Sequence, residues 1–135
     1  MIDKEFLGQL LLQAAENPRK RVNYDMRTSP EDGSQRMLNA MLPGTEVAVH
    51  RHPNSNENVI LITGKMHEIL YEELEENGKN VLHETERLYL CSAEGLYGCQ
   101  VPKGVWHTVE VIEPSVIYEA KDGKYGEDGS ENWIE

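Results

Sequence analysis

The feature that most constrains the fold is a succession of short strand-like runs that begins after the turn cluster at residues 30–33. Turn residues separate the runs at intervals of roughly 8–12 residues, a spacing typical of all-β sandwiches and barrels. We predict strands near residues 35–41, 46–50, 58–63, 65–73, 80–90, 98–101, 107–111 and 115–121. Asn77 and Gly78 separate two of these runs and indicate a hairpin, because both residue types tolerate the positive φ of a tight turn.

One segment, residues 3–16, has helical periodicity. Its apolar residues recur at three- and four-residue steps and form one stripe: Phe6, Leu7, Leu10, Leu11, Ala14 and Ala15. Asp3 is placed to cap the start of this helix, and Asn17 followed by Pro18 ends it. The stripe suits a helix that packs on the outside of a barrel or across a dimer interface. We predict a homodimer that forms partly through this segment.

The length of 135 residues matches one ordinary domain with one core. We divide this single domain into an N-terminal helical segment at 1–20, a barrel at 34–121 and an acidic tail at 122–135. Hydrophobic residues make up 39% of the chain and charged residues 27%, as in globular proteins. Because no apolar run is long enough to cross a bilayer and the start does not resemble a signal peptide, we expect a cytoplasmic protein.

The formal net charge of −11 argues against nucleic-acid binding, which needs a basic surface, and disfavours docking to anionic membranes. Much of the charge lies in a predicted solvated hairpin and a predicted solvated tail: Glu72, Glu73, Glu75, Glu76, Glu127, Asp128, Glu131 and Glu135. Trp133 and Ile134 are expected to anchor the tail to the body of the domain. Cys91 and Cys99 fit no zinc-ribbon spacing and are expected to be buried apolar side chains.

Histidines provide the main chemical signal. His50 and His52 are one residue apart, and alternate side chains of a strand point to the same face. The loop 53–56 returns the chain to Glu57, and His107 opens a later strand. Three nitrogen donors and one carboxylate suit zinc, iron, manganese or nickel better than calcium or magnesium. The pattern therefore predicts one divalent transition metal with positions left for water or substrate.

A lone His-x-His pair is equally compatible with unrelated polar strand residues, so the wider spacing matters. This chain resembles the first motif of the cupin superfamily in the spacing among five residues: Gly44, His50, His52, Glu57 and Gly64. Residues 102–107 resemble the core of the second motif, although the loop before them is one residue longer than usual and Val111 replaces the usual asparagine. The resemblance implies a double-stranded β-helix, or jelly-roll, barrel that binds a metal.

Longer stretches resemble the WbuC family of cupin-fold metalloproteins, small bacterial proteins often linked to surface-polysaccharide gene clusters. These stretches are residues 35–40, 42–45, 50–53, 106–108 and 119–125, together with the terminal Trp133. The resemblance begins near Arg21 and covers most of the chain. It implies a cupin fold and a bound metal, but no firmly assigned reaction.

Arg36, Asn39 and Cys99 are candidates for binding a small-molecule ligand. Arg36 lies on a strand that leads to the metal hairpin, where it could hold a carboxylate or phosphate bidentately, and a surface ion pair is an equal alternative. Asn39 is an odd number of positions after Arg36, so one regular strand cannot point the side chains of both residues into the pocket. Cys99 is close in sequence to His107 and could line the pocket.

Two classes of function fit these observations. The first is a metalloenzyme of isomerase or dioxygenase type that acts on a small polar substrate, such as a sugar or sugar nucleotide in surface-polysaccharide metabolism. The second is a non-enzymatic module that binds a sugar or metabolite and contains a structural metal. Histidines and a glutamate inside a barrel are costly to maintain for stability alone, which favours the enzyme, but both classes stay open.

Overall fold

The computed structural model describes residues 1–134 of the chain. This range contains one α-helix and eight strands: α1 Lys4–Glu16, β1 Arg21–Asp25, β2 Ser34–Met41, β3 His50–Arg51, β4 Glu57–Glu76, β5 Lys79–Cys91, β6 Gly98–Val101, β7 Trp106–Asp122 and β8 Glu131–Asn132. All eight strands belong to one sheet. The prediction of an all-β fold with a short N-terminal helix is confirmed.

The two longest strands, β4 and β7, organise the sheet. They pair antiparallel from Glu57 opposite Lys121 to Tyr71 opposite Trp106. On its other side β7 pairs with β2, and near its start it pairs with β3. β4 also pairs with β5 and β6. Three register shifts occur between β4 and β7 just around Gly64, and such irregularities bend strands and let a sheet curl into a barrel.

Two apolar clusters lie on opposite faces of this sheet. The interior core contains Met41, Val59, Leu61, Met66, Leu90, Val111 and Ile117. The helix layer contains Leu7, Leu10, Ala14, Leu38, Ala40 and Val116. Neighbouring residues on β2 and on β7 belong to different clusters, as expected when alternate side chains of a strand point to opposite faces. The interior core therefore lies inside the barrel, and the helix covers its outside.

The predicted helix and its cap are confirmed. The Asp3 side chain accepts a hydrogen bond of 2.9 Å from the Phe6 N–H. Leu7, Leu10 and Ala14 are buried against the sheet of the same chain. The apolar stripe thus has a partner within the chain, and the homodimer stays a prediction. No helix within residues 1–134 is long and apolar enough to span a membrane.

Two pairs of predicted strands are each one continuous strand in the structure: 58–63 with 65–73 in β4, and 107–111 with 115–121 in β7. The sequence indicates a break at Gly64 and at Pro114, since both residue types are depleted in strands. In the structure the register shifts there and pairing then resumes. β4 and β7 pair with each other on both sides of the bend, so each continues as one strand.

Two polar strands at the sheet edge were missed. β1 precedes the first predicted strand and pairs with β2, while β8 lies in the predicted tail and pairs with β3. The run predicted at 46–50 is irregular until His50, where pairing begins. β8 has only two residues and pairs with a strand far earlier in the chain, so it had no local signal. β1 has Val22 and Tyr24 at alternating positions and pairs with the next strand, a local signal that was overlooked.

The acidic hairpin is solvated, as predicted. β4 and β5 are joined by Asn77 and Gly78 with φ of 53° and 77°, values typical of a tight hairpin turn. The glutamates at the hairpin end of β4 are exposed: Glu72, Glu73, Glu75 and Glu76.

The tail differs from the solvated segment that was predicted. Asp128 is buried, and its carboxylate accepts a hydrogen bond of 2.6 Å from the Gln35 side chain. Trp133 packs edge-to-face on Trp106, so its predicted anchoring role is confirmed. The other predicted anchor was wrong, because Ile134 is 85% exposed. Glu135 lies outside the described residues.

Candidate metal centre

The structure brings the four predicted ligands together. One ligand atom from each of His50, His52, Glu57 and His107 lies within 4.8 Å of all the others. His50 on β3 and His107 on β7 are opposite each other in adjacent strands, and their ring centroids are 4.2 Å apart. His52 follows two positions after His50, at 5.0 Å between centroids. Glu57 begins β4 directly after the turn that was expected to return it to the histidines.

Backbone carbonyls set the orientation of two imidazoles. His50 Nδ1 is 2.8 Å from the Ala48 carbonyl oxygen, and His107 Nδ1 is 2.9 Å from that of Val105. A carbonyl oxygen only accepts hydrogen bonds, so each Nδ1 must donate its N–H, and the lone pair of the neutral ring is on Nε2. Burial, together with the nearby His107, lowers the pKa of His50 to about 4. His50 is therefore neutral near pH 7, the form that binds metals.

Glu57 supplies the carboxylate of the cluster. Its Oε2 is 2.9 Å from His52 Nε2 and 3.2 Å from Lys121 Nζ, and its Oε1 is 3.6 Å from His107 Nε2. Burial raises the pKa of Glu57, but the close contacts with His107 and His52 and the charge of Lys121 outweigh burial and hold that pKa well below its ordinary value. Glu57 is therefore an ionised, acceptor-only group inside the barrel.

The donor set fits a divalent transition metal. The Nε2 atoms of His52 and His107 are buried, yet neither makes a well-aligned hydrogen bond within residues 1–134, despite their proximity to Glu57. Donors that share one ion at about 2.0–2.2 Å from it lie about 3–4.5 Å from one another without pointing at each other. The contacts of 2.9 and 3.6 Å around Glu57 match this arrangement.

A cavity of about 410 Å³ opens beside the cluster, a size suited to a small organic molecule. His50, Glu57 and His107 contribute one part of its wall. Apolar residues of the interior core line another part: Met41, Val59 and Ile117. Its polar lining includes Asn39 and Glu68.

Sequence reasoning missed Glu68, which is 1% exposed. Neither of its carboxyl oxygens has a hydrogen-bond partner within the described residues. Burial raises the pKa of Glu68 well above its ordinary value, and the nearby Glu57 and Glu119 add to that effect. Alternation along β4 was the available signal, since Met66, Glu68 and Leu70 share a buried face. Burial therefore favours the protonated form of Glu68 inside the barrel.

A second interior glutamate, Glu119, also lines the cavity. Burial, with the negative charge of the adjacent Glu57, raises the pKa of Glu119 to about 8. Lys121 and Arg21 act in the opposite direction without cancelling this rise. Among the carboxyl groups of the cavity, burial thus favours the protonated forms of Glu68 and Glu119, whereas the close partners of Glu57 favour its ionised form.

We expect Glu68→Gln to stabilise the metal-free protein against unfolding by an amount that increases as the pH rises. Below about 4.5, the ordinary value, Glu68 is protonated in both folded and unfolded states. As pH rises further, only the unfolded state releases the proton, so the wild type loses stability by about 1.4 kcal/mol per pKa unit of difference. Glutamine is nearly isosteric with the neutral acid and has no such loss. The gap in unfolding free energy between variant and wild type should therefore grow between pH 5 and pH 8.

Urea denaturation of chelator-treated protein at several pH values measures this gap. Glu72→Gln is the matched control, because Glu72 is exposed on the same strand. A gap that stays constant with pH would show that Glu68 is ionised in the folded protein.

The C-terminal tail contacts the cluster. Ser130 Oγ is 2.6 Å from His52 Nδ1, and the Ser130 N–H donates to the Asp128 carboxylate at 3.0 Å. The Asn54 side chain donates to the Asp128 carbonyl at 2.9 Å, which joins the turn between His52 and Glu57 to the tail. A hydrogen bond at Nδ1 orients a ligating imidazole, so Ser130 is a supporting residue that the polar, Gly-rich tail sequence did not indicate.

Only one of the three substrate-binding candidates lines the cavity. Asn39 does, and its side-chain oxygen is buried without a hydrogen-bond partner within the described residues. Arg36 does not: it forms a salt bridge with Asp32, the ion-pair alternative, because strand alternation turns it away from the side that Asn39 faces. Cys99 does not line the cavity either: it packs against the interior core, the expected apolar role, and burial raises the pKa of its thiol to about 12.

Solved structures show the same fold. Oxalate oxidase in complex with the substrate analogue glycolate has a TM-score of 0.58 at 12% identity, over 86% of this chain and 56% of that chain. The Schizosaccharomyces pombe Cnp3 cupin domain gives 0.52 at 13% identity, over 77% of this chain and 65% of that one. The capsular polysaccharide assembling protein CapF from Staphylococcus aureus gives 0.59 at 18% identity, over 84% of this chain and 29% of that one.

These likenesses confirm the predicted cupin double-stranded β-helix, and at such low identity they establish the fold alone. This chain spans little more than half the length of the oxalate oxidase chain. No curated protein has a significant sequence match to it. A family model described as "Domain of unknown function (DUF6016)" matches residues 2–85, which is more than half of the chain. The chain therefore belongs to the DUF6016 family and has a cupin fold.

Proposed function

We propose that this protein is a cupin metalloprotein in which His50, His52, Glu57 and His107 hold one divalent transition metal. The observation that carries the proposal is the convergence of their ligand atoms within 4.8 Å beside a cavity of about 410 Å³. A small polar molecule in this cavity would contact the metal on one side and Asn39 and Glu68 on another. Zinc, iron, manganese and nickel all suit the donor set.

The bound metal would supply a Lewis acid that polarises an oxygen atom of the ligand. The chain itself supplies orientation and proton chemistry. The carbonyls of Ala48 and Val105 hold two imidazoles with Nε2 toward the centre, and Lys121 holds the Glu57 carboxylate. Glu68 can donate a proton or a hydrogen bond to a molecule in the cavity, because its carboxyl group has no partner within residues 1–134.

An enzyme is the function that the cavity supports best. A buried carboxylic acid without a partner lowers stability, and such groups cluster at catalytic sites. Its position in the same cavity as a metal cluster is what acid–base chemistry on a metal-bound molecule requires. Membership of a WbuC-like group and a role in surface-polysaccharide metabolism belong to this proposal as well. They are supported by the motif resemblance and by the printed name of CapF.

A non-enzymatic module with a structural metal is the second candidate. It is favoured by the burial of His52, Glu57 and His107 and by the tail that contacts His52 through Ser130. A metal at this position would join β3, β4, β7 and the tail, and its binding energy would then add to the folding energy.

Elemental analysis of protein purified without chelators tests the metal. We expect about one equivalent of zinc, iron, manganese or nickel per chain, because four donors are already oriented toward one point. Calcium and magnesium should not compete at similar concentrations, since they prefer oxygen ligands. Metal-free protein that also fails to take up any of the four metals on titration would contradict the proposal.

A further inference from the structure

Two arginines stand where the cavity meets the solvent. Arg19 lies in the turn before β1, and Arg21 begins that strand. Both line the interior cavity, and both also line an open depression that Val47 and His50 share with the cavity. Asn17 and Asn23 line the cavity from the same segment, and so does Val22. Residues 17–23 therefore form the mouth of the cavity next to His50.

Neither arginine has an anionic partner in the part of the chain that is described. Every other arginine forms a salt bridge: Arg27, Arg36, Arg51 and Arg87. Glu46 lines the same depression and Glu119 lines the cavity, yet neither forms a salt bridge with Arg19 or Arg21. This is unusual in a protein with a net charge of −11, where carboxylates are abundant. Burial and the proximity of Arg19 lower the pKa of Arg21, and the nearby Glu119 acts in the opposite direction without forming a salt bridge with it.

The interior does not supply an ion-pair partner from the described residues. The Glu57 carboxylate contacts Lys121, His52 and His107, and a bound metal would neutralise it further. Glu68 and Glu119 line the cavity, but neither carboxyl group forms a salt bridge with Arg19 or Arg21 among the described residues. An anion at the mouth would therefore meet two guanidinium groups that no carboxylate of the described chain already pairs with.

We propose that Arg19 and Arg21 bind the carboxylate or phosphate of a small hydroxylated organic anion, whose hydroxyl groups extend past the metal cluster toward Asn39 and Glu68. Guanidinium groups pair with carboxylates and phosphates through two parallel hydrogen bonds. Asn39 and Glu68 each have a buried side-chain oxygen without a hydrogen-bond partner within residues 1–134. The hydroxyl groups of the anion would donate hydrogen bonds to these oxygens. The inference rests on the proposed function, because the anion is the molecule that the metal would act on.

Calorimetric titration with three hexose-based probes tests the anion site. Gluconate has a carboxylate, glucose 6-phosphate has a phosphate, and glucose has neither. We expect one of the two anions to bind the metal-loaded protein at least about tenfold more tightly than glucose, and Arg21→Gln or Arg19→Gln to remove most of that preference. Arg87→Gln is the matched control, because it removes the same charge at a salt bridge with Glu84 on β5.

The outcome separates the anion site from the metal. Tighter binding of gluconate would identify a carboxylate as the bound group, and tighter binding of glucose 6-phosphate would identify a phosphate. Either result supports the anion site. Equal affinity for all three probes, or an anion preference that survives Arg19→Gln and Arg21→Gln, overturns it. Metal content, measured on the same preparations, reports on the proposed function independently. If the wild type is metal-free, the same titrations on the metal-free protein decide the anion site.

Discussion

Replacing His107 by alanine is expected to lower the affinity for zinc, or for the native metal, by at least about a hundredfold. His107 is 1% exposed, its Nδ1 is held by the Val105 carbonyl, and its Nε2 faces Glu57. Loss of groups that merely support a ligand typically weakens metal binding 10–100-fold, so loss of a ligand should cost no less. Competition with a chromogenic chelator measures the affinity, and circular dichroism shows whether the barrel persists.

His83→Ala is the matched control, since His83 is exposed on the hairpin and pairs only with Glu76 among the described residues. It should leave metal affinity unchanged. A variant at His107 that is folded and still binds metal as tightly as the wild type would remove this residue from the ligand set.

The same proteins separate a catalytic metal from a structural one. The interior core and the helix layer consist of apolar side chains that do not include the cluster, so the chelated wild type should keep its sheet and a cooperative unfolding transition. Binding to the native state adds stability by mass action in either case, about 4 kcal/mol at a thousandfold excess over Kd. Unfolding on chelation at room temperature would instead favour the structural module.

Replacing Gly64 by alanine is expected to destabilise the protein by about 3–5 kcal/mol, a large part of the 5–15 kcal/mol typical of a domain. Gly64 has a φ of 107°, which an L side chain rarely adopts. A Cβ there would lie 2.2 Å from Ser115 Oγ and 2.5 Å from the Pro114 carbonyl. Ser115 is fully buried and bonded to the backbone at Lys65 and Glu113, so it has no room to move.

Gly78→Ala separates the two causes. Gly78 also has a positive φ, 77°, but a Cβ there would meet no atom within 4 Å. The Gly78→Ala variant should lose only about 1–2 kcal/mol of unfolding free energy, which is the cost of the left-handed backbone alone. Guanidinium denaturation of both variants gives the comparison. If both variants lose the same unfolding free energy, the residues of β4 and β7 at this bend move to accommodate the added Cβ, contrary to the expectation.

The candidate metal centre was predictable because its signal is local and periodic. His50 and His52 share a strand face, and a short turn leads from them to Glu57. His107 lies far along the chain, and only its resemblance to a motif associated it with the others. The structure brings it opposite His50 through direct strand pairing. The ligand-binding residues around the metal were predicted poorly, since Arg36 lies outside the cavity and Cys99 packs against the interior core without lining the cavity.

Arg19, Arg21 and Ser130 illustrate why that prediction failed. Ser130 lies in a polar tail that reaches the site through the pairing of β8 with the distant β3, and Arg19 lies in a turn. Arg21 begins β1, whose alternating Val22 and Tyr24 indicate a strand but not that it lines the cavity. Glu68 had a local signal, its place between two buried apolar positions on one strand face, but a single acidic residue in an acidic stretch does not stand out. Burial without a partner is a property of the assembled barrel.

The sequence by itself determined the all-β class, the N-terminal helix with its cap, the tight turn at Asn77 and Gly78, and a metal-ligand pattern of cupin type. These properties follow from periodicity, backbone conformation and donor chemistry, which act over a few residues. Only the tertiary structure decided which strands merge across Gly64, that the tail closes over His52, and which arginines line the cavity. Those outcomes depend on pairing and burial between segments up to a hundred residues apart, and local residue preferences contain no information about them.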